Sequence, residues 1–263
     1  MTAASPDSRS LAVVTGASAG IGREFCLQLA SRKYDLLIVA RDGNRLEALR
    51  EELEGRYGIA VEVFPADLTI DTDVSLLAER LARSPRLTLL VNNAGFGTRG
   101  ALVDASPARQ EAMLQLHVMA PMRLSQAALP VLLQNKRGAI VNVSSVASFV
   151  YAPENVNYCA TKAYLTTFSE GLAAELAGSG VRVQALCPGF TRTEFHQRME
   201  ADATEIPGSM WMPASKIVST SLANLRRSGP VICVPGLHYK VMVMLLRFAP
   251  RRLIGWVARS RRL

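Results

Sequence analysis

Ser145, Tyr158 and Lys162 stand in the order Ser, twelve residues, Tyr, three residues, Lys. That spacing suits the delivery of a proton to a carbonyl oxygen. Tyr158 and Lys162 are four apart in a stretch of helical composition, Val156 to Ala177, so their side chains share a face and the ammonium can sit beside the phenol. A free tyrosine titrates near about 10, and an adjacent cation favours its phenolate. Ser145 closes an apolar β-type run, Gly138 to Val143, from whose end a hydroxyl can point to the same spot. A Tyr and a Lys at this spacing also fit a solvated helix face, so the elements around them carry the decision.

Apolar runs occur at Leu11 to Val14, Leu36 to Ala40, Val61 to Phe64, Leu87 to Val91, Ile140 to Val143, Val181 to Leu186 and Val231 to Val234, with helical stretches between them. Strands alternating with helices imply right-handed crossovers. The expectation is an α/β fold: one doubly wound, Rossmann-type parallel sheet of about seven strands with helices on both faces. With 263 residues, 49% of them hydrophobic, the chain has the length for a single substantial core. We expect a polar, flexible stretch over residues 1–10, a catalytic domain over 11–236 and a basic amphipathic tail over 237–263. The first ten residues lack the apolar centre of a secretory signal. Cys26, Cys159, Cys187 and Cys233 have no paired spacing, which argues against a disulfide framework or a metal site and fits a reducing, cytoplasmic setting.

The first strand runs into Gly16-Ala17-Ser18-Ala19-Gly20-Ile21-Gly22, followed by helical composition from Arg23 to Ala30. A glycine turn opening a helix receives a pyrophosphate, because the backbone can approach closely and the first N–H groups and the dipole favour negative charge. A flexible turn has the same composition. The TGxxxGxG spacing here, Asn92-Asn93-Ala94-Gly95, and the YxxxK of Tyr158 and Lys162 together resemble the short-chain dehydrogenase/reductase family. The resemblance runs from about Leu11 to Gly236. It implies an NAD(P)-dependent oxidoreductase whose catalytic residues are Ser145, Tyr158 and Lys162. It further implies cofactor contacts at Gly16, Ser18, Gly20, Ile21, Gly22, Asp67, Leu68, Asn93, Ala94 and Gly95, and from Pro188, Gly189 and Thr193 beside the carboxamide. Asp67 would meet the adenine, and Asn92 to Gly95 would also brace the central sheet.

Cofactor choice turns on the end of the second strand, where an acid binds the ribose 2′-hydroxyl of NAD and a cation the 2′-phosphate of NADP. Arg41 follows that strand directly and Ser18 can add a hydroxyl, so NADP(H) is favoured over NAD(H). Asp42 would reverse the reading if the strand ended one residue later. Many family members carry an asparagine 24 residues beyond the second Asn of NNAG, and here His117 occupies that place. Its imidazole could join the proton relay, or it could be a packed core residue. Pro121, lacking an N–H, should free the carbonyl of His117 and kink the helix.

Phe190, Phe195, Met199, Met210, Trp211 and Met212, with Phe149, Val150 and Tyr151, would form an adaptable apolar mouth. A bulky hydrophobic ketone, such as a long-chain 3-ketoacyl group or a sterol, is therefore expected over a sugar. The net charge is +8, and no acidic residue follows Glu205 while ten cations do. The basic tail with Trp256 fits either peripheral contact with the inner face of an anionic membrane or a helix docked on the body. No nucleic-acid module accompanies the charge, and a homodimer or homotetramer is implied by the resemblance. An alcohol dehydrogenase working in the oxidative direction, or a non-catalytic NADP(H)-binding scaffold, are the competing readings.

Overall fold

The computed structural model describes residues 9–98, 100–194, 207–250 and 252. Its strands are β1 (Leu11–Thr15), β2 (Asp35–Ala40), β3 (Val61–Pro65), β4 (Leu87–Asn92), β5 (Gly138–Val143), β6 (Val181–Leu186), β7 (Thr191–Arg192), β8 (Met212–Pro213) and β9 (Ile232–Cys233). The helices are α1 (Gly20–Ala30), α2 (Gly43–Tyr57), α3 (Asp71–Ala82), α4 (Pro107–Leu114), α5 (Ala120–Gln134), α6 (Val156–Glu175), α7 (Ala214–Arg226) and α8 (Leu237–Phe248). Seven strands form one parallel sheet in the order β3-β2-β1-β4-β5-β6-β9.

Alternation along the strands explains why they read as continuous apolar runs. In β1, Ala12 and Val14 face one cluster with Phe25, Leu46, Ile217 and Val243. Leu11 and Val13 face the other, with Val74, Leu77, Leu124 and Leu172. Both faces are covered along the central strands, so both parities of residue are mostly apolar, and buried polar residues such as Asn92 and Asn142 are paired with one another. All four cysteines are free and buried.

The strand order reverses at β1 and β4, and a crevice at such a switch point, beyond the carboxyl ends of the strands, is where an α/β sheet binds ligands. Thr15, Asn92, Ser145 and Pro188 all sit at or just past those ends. Just before Pro121, where the sequence predicts a kink, a π-helical turn covers Gln115–Met119 between α4 and α5. β7 and β8, two residues each, pair with one another, with Phe190 just before β7 and Met210 and Trp211 just before β8. Arg9, assigned to the flexible start by sequence, donates to the carbonyl of Gly58 at 2.7 Å. Tyr239 and Val243 of α8 are buried in the main core cluster, so the tail begins as a helix docked on the body. Phe195, Met199, Trp256 and residues 253–263 lie outside the described residues.

Candidate active site

β5 delivers Ser145 and α6 delivers Tyr158 and Lys162. Ser145 caps the short 3-10 turn Val146–Phe149, its Oγ accepting from the N–H of Ala147 at 3.1 Å, and it also hydrogen-bonds the Tyr158 hydroxyl. Lys162 is buried and donates from Nζ to the carbonyl of Val143 at 2.9 Å, with Nζ 5.6 Å from the Tyr158 ring centroid. The three residues expected to act together therefore do meet. Ser144, absent from the sequence reading, steadies the helix opposite: its Oγ donates to the Lys162 carbonyl at 2.8 Å.

The electrostatics differ from the expectation. Burial pushes Tyr158 up to about 12, with the Ser145 hydrogen bond acting in the opposite direction. Burial also pulls Lys162 down to about 8. Spacing foretold the neighbouring cation but not the desolvation, which outweighs it and holds the phenol protonated.

His117 is buried, and both ring nitrogens are engaged. Nε2 accepts from the N–H of Phe96 at 3.1 Å, which places the ring proton on Nδ1, 3.1 Å from Oγ1 of Thr161. Thr161 Oγ1 in turn donates to the carbonyl of Tyr158 at 2.9 Å. Burial first, then repulsion from Lys162, hold the imidazole pKa well below its usual value. The ring is thus a neutral tie between the Gly95–Phe96 loop and α6, edge-on to Tyr158 with centroids 6.0 Å apart.

The glycine turn is built for close approach. Gly16 has φ +66°, and a Cβ on Gly22 would lie 2.1 Å from the Gly16 carbonyl. Helix α1 starts after Ala19, which offers no capping side chain, so the first N–H groups, from Gly20, Ile21 and Gly22, are suited to an anionic ligand. Thr193 packs against Gly20. Beside the turn runs a groove of about 320 Å³ lined by Ser18, Gly20, Arg23, Arg45, Glu52 and Glu194. These features fit a dinucleotide.

Thr15 ties this turn to Asn93 and Ala94. Its Oγ1 accepts from both their N–H groups, at 2.9 and 3.0 Å, and Asn93 Nδ2 donates to the Thr15 carbonyl at 2.8 Å. Asn92 points inward instead, donating to Asn142 Oδ1 at 2.8 Å, so it supports the sheet. Asp67 accepts from the N–H and hydroxyl of Thr69 in a tight turn, and its other oxygen lies 3.9 Å from Arg41. Leu68 is buried beneath it. β2 ends at Ala40; Asp42 is the N-cap of α2, accepting from Arg45 N at 3.0 Å, while the Arg41 side chain is 72% exposed. Pro188 accepts from the N–H of Val146 at 3.0 Å.

Tyr239 was not foreseen. Its hydroxyl donates to the carbonyl of Met210 at 2.7 Å and accepts from the N–H of Phe190 at 2.9 Å. Its ring lies so close to Gly189 that a Cβ there would overlap it at 1.9 Å. The mouth residues Phe190 and Trp211 stand with ring centroids 5.7 Å apart.

Comparison with known proteins agrees with this geometry. Residues 10–204 match the family model for short chain dehydrogenases. An uncharacterized oxidoreductase, YmfI, of Bacillus subtilis is 36% identical over 202 residues, 74% of this chain and 83% of that protein. A very-long-chain 3-oxoacyl-CoA reductase of Coprinopsis cinerea is 35% identical over 176 residues, 66% of this chain but only 52% of that longer protein. A short-chain dehydrogenase from Sphingobium yanoikuyae, solved in complex with NADPH, superposes with TM-score 0.85 at 36% identity, covering 94% of this chain and 95% of that one. A bulky-bulky ketone specific alcohol dehydrogenase from Comamonas testosteroni gives TM-score 0.78 at 30% identity, over 96% and 92% of the two chains. With the motif residues assembled at the switch point of a Rossmann-type sheet, this chain belongs to the short-chain dehydrogenase family as an NAD(P)-dependent oxidoreductase.

Proposed function

We propose that this protein is an NADPH-dependent reductase of bulky hydrophobic ketones, with long-chain 3-oxoacyl thioesters the preferred class. The observation that carries the reading is the hydrogen-bonded Ser145 and Tyr158 pair with Lys162 beneath it. The chemistry that a bound nicotinamide cofactor would supply here is a hydride for the carbonyl carbon. Tyr158, protonated at neutral pH, donates its proton to the oxygen that becomes the alcohol. Ser145 positions that oxygen and shares its developing charge. Lys162 would bind the ribose hydroxyls, and its Nζ lies 5.6 Å from the Tyr158 ring centroid.

The α1 N-terminus and glycine turn would hold the pyrophosphate, Arg41 with Ser18 the 2′-phosphate and Asp67 the adenine, with Asn93 to Gly95 beside the cofactor. Pro188, Gly189 and Thr193 would hold the carboxamide. Substrate class is supported by the aromatic mouth of Phe149, Phe190 and Trp211 and by the names of two similar proteins, a very-long-chain 3-oxoacyl-CoA reductase and a bulky-ketone dehydrogenase. The free, buried cysteines suit a reducing cytoplasmic compartment, and a homo-oligomer completes the reading.

The test is NADPH and NADH oxidation against long-chain 3-oxoacyl thioesters, bulky aryl ketones, steroid ketones and sugars. Turnover of the first class with NADPH is expected, abolished in Tyr158→Phe with cofactor affinity retained. Full turnover by that variant would sink the mechanism. NADPH binding without turnover of any carbonyl would favour a scaffold instead.

A further inference from the structure

Helix α8 has two apolar faces. At 3.6 residues per turn, Tyr239, Met242, Val243 and Leu246 share one arc, and Tyr239, Met242 and Val243 pack into the core. Leu237, Val241, Met244, Leu245 and Phe248 share an arc of about 100° on the opposite side, with exposures of 77, 44, 54, 62 and 85%. Single exposed apolar residues are ordinary, but five in register on one helix face form a surface.

Cations border that surface. Lys240 and Arg247 flank one edge and are exposed, Arg247 reaching Glu170 Oε1 at 3.4 Å. The sequence beyond adds Arg251, Arg252, Arg259, Arg261 and Arg262, with no acidic residue after Glu205. We propose that the outer face of α8 docks on the surface of an anionic lipid bilayer, the helix lying in the plane of the headgroups. A bilayer supplies both an apolar layer for the stripe and negative charge for its border. A second copy would instead bring two basic borders together, which like-charge repulsion opposes. At twelve residues, the helix falls well short of the roughly 20 needed to span a membrane. Its position also serves a lipid substrate, because Tyr239 links α8 to Phe190 and Met210 at the mouth.

The test is co-sedimentation of the full chain with vesicles of phosphatidylglycerol and phosphatidylcholine, or of phosphatidylcholine alone. Wild-type protein is expected to pellet with the anionic vesicles only, and less in high salt. The double variant Met244→Glu, Phe248→Glu should lose at least about tenfold in vesicle affinity. Because both positions are exposed and outside the catalytic machinery, its turnover of a small soluble ketone should equal that of the wild type, which separates this inference from the reading of the active site. Wild-type protein that stays in the supernatant with anionic vesicles overturns the proposal. So does a double variant that pellets equally well, or one whose subunit count changes in light scattering, which would assign the stripe to a second copy.

Discussion

Replacing Thr15 by valine isolates the contact that joins the glycine turn to the Asn93–Ala94 segment. Valine keeps the β-branched shape that suits a strand, so the change removes only a hydroxyl from a residue that is 2% exposed. That hydroxyl accepts from the N–H groups of Asn93 and Ala94 at 2.9 and 3.0 Å and lies 3.3 Å from the Val91 carbonyl. A donor left without a partner costs about 1–3 kcal/mol. Two donors in half-buried residues give about 2–4 kcal/mol, a large share of a typical stability of about 5–15 kcal/mol. At about 2–4 °C per kcal/mol for a chain near this length, the melting temperature should drop by about 5–15 °C. Thermal and urea unfolding measure the loss, and NADPH titration should register weaker binding, because the two segments that flank the cofactor crevice lose their common anchor. Thr15→Ser restores the hydroxyl and should recover most of both. A valine variant within about 0.5 kcal/mol of wild type, the range of an inconsequential substitution, would refute the role assigned to this hydroxyl.

Reductive turnover should be level near neutral pH and fall as pH rises through about 8, where Lys162 loses its charge, since Tyr158 stays protonated up to about 12; a reductive rate that climbs between neutrality and pH 9 would contradict this assignment. Tyr239→Phe should raise KM for a bulky ketone while leaving NADPH affinity nearly unchanged, at a stability cost of about 1–3 kcal/mol from the stranded Phe190 N–H and Met210 carbonyl; steady-state kinetics beside cofactor titration will separate the two constants. His117→Asn should lower the melting temperature, because the tie between Phe96 and Thr161 is remade imperfectly, and should leave the pH profile of reduction in place. A displaced profile would instead return the imidazole to the proton path.

The proximity of Tyr158 and Lys162 was legible because helical geometry converts a spacing of four into closeness, whatever the rest of the fold does. The seven main strands were legible because both faces of the sheet are covered, leaving apolar runs with clean ends. Thr15 and Tyr239 were not legible, since their partners are backbone atoms 78 and 49 residues away in the chain, and a backbone N–H leaves no mark on sequence. The strands β7 and β8 are two residues each and include Arg192 and Pro213, whereas β9, equally short, lies inside the apolar run Val231 to Val234. Arg41 and Asp42 could not be separated by composition. The capping bond from Arg45 N shows what Asp42 does in the fold, and only an actual helix start reveals it.

Burial acts on the two central titrating groups in opposite directions, and the outcome sets which of them holds a proton at neutral pH. The Tyr158 phenol is driven up and the Lys162 ammonium down, each toward its neutral form. At neutral pH the phenol therefore arrives carrying the proton that reduction consumes, while Lys162, at about 8, keeps most of its charge. Oxidation would need the phenolate first, formed against a pKa near 12, and the Ser145 hydrogen bond offsets only part of that cost. The imidazole of His117, neutral and committed to Phe96 and Thr161, offers no second base. What remains at neutral pH is a protonated phenol beside a charged ammonium, the two states from which the proposed proton transfer to a carbonyl oxygen would start.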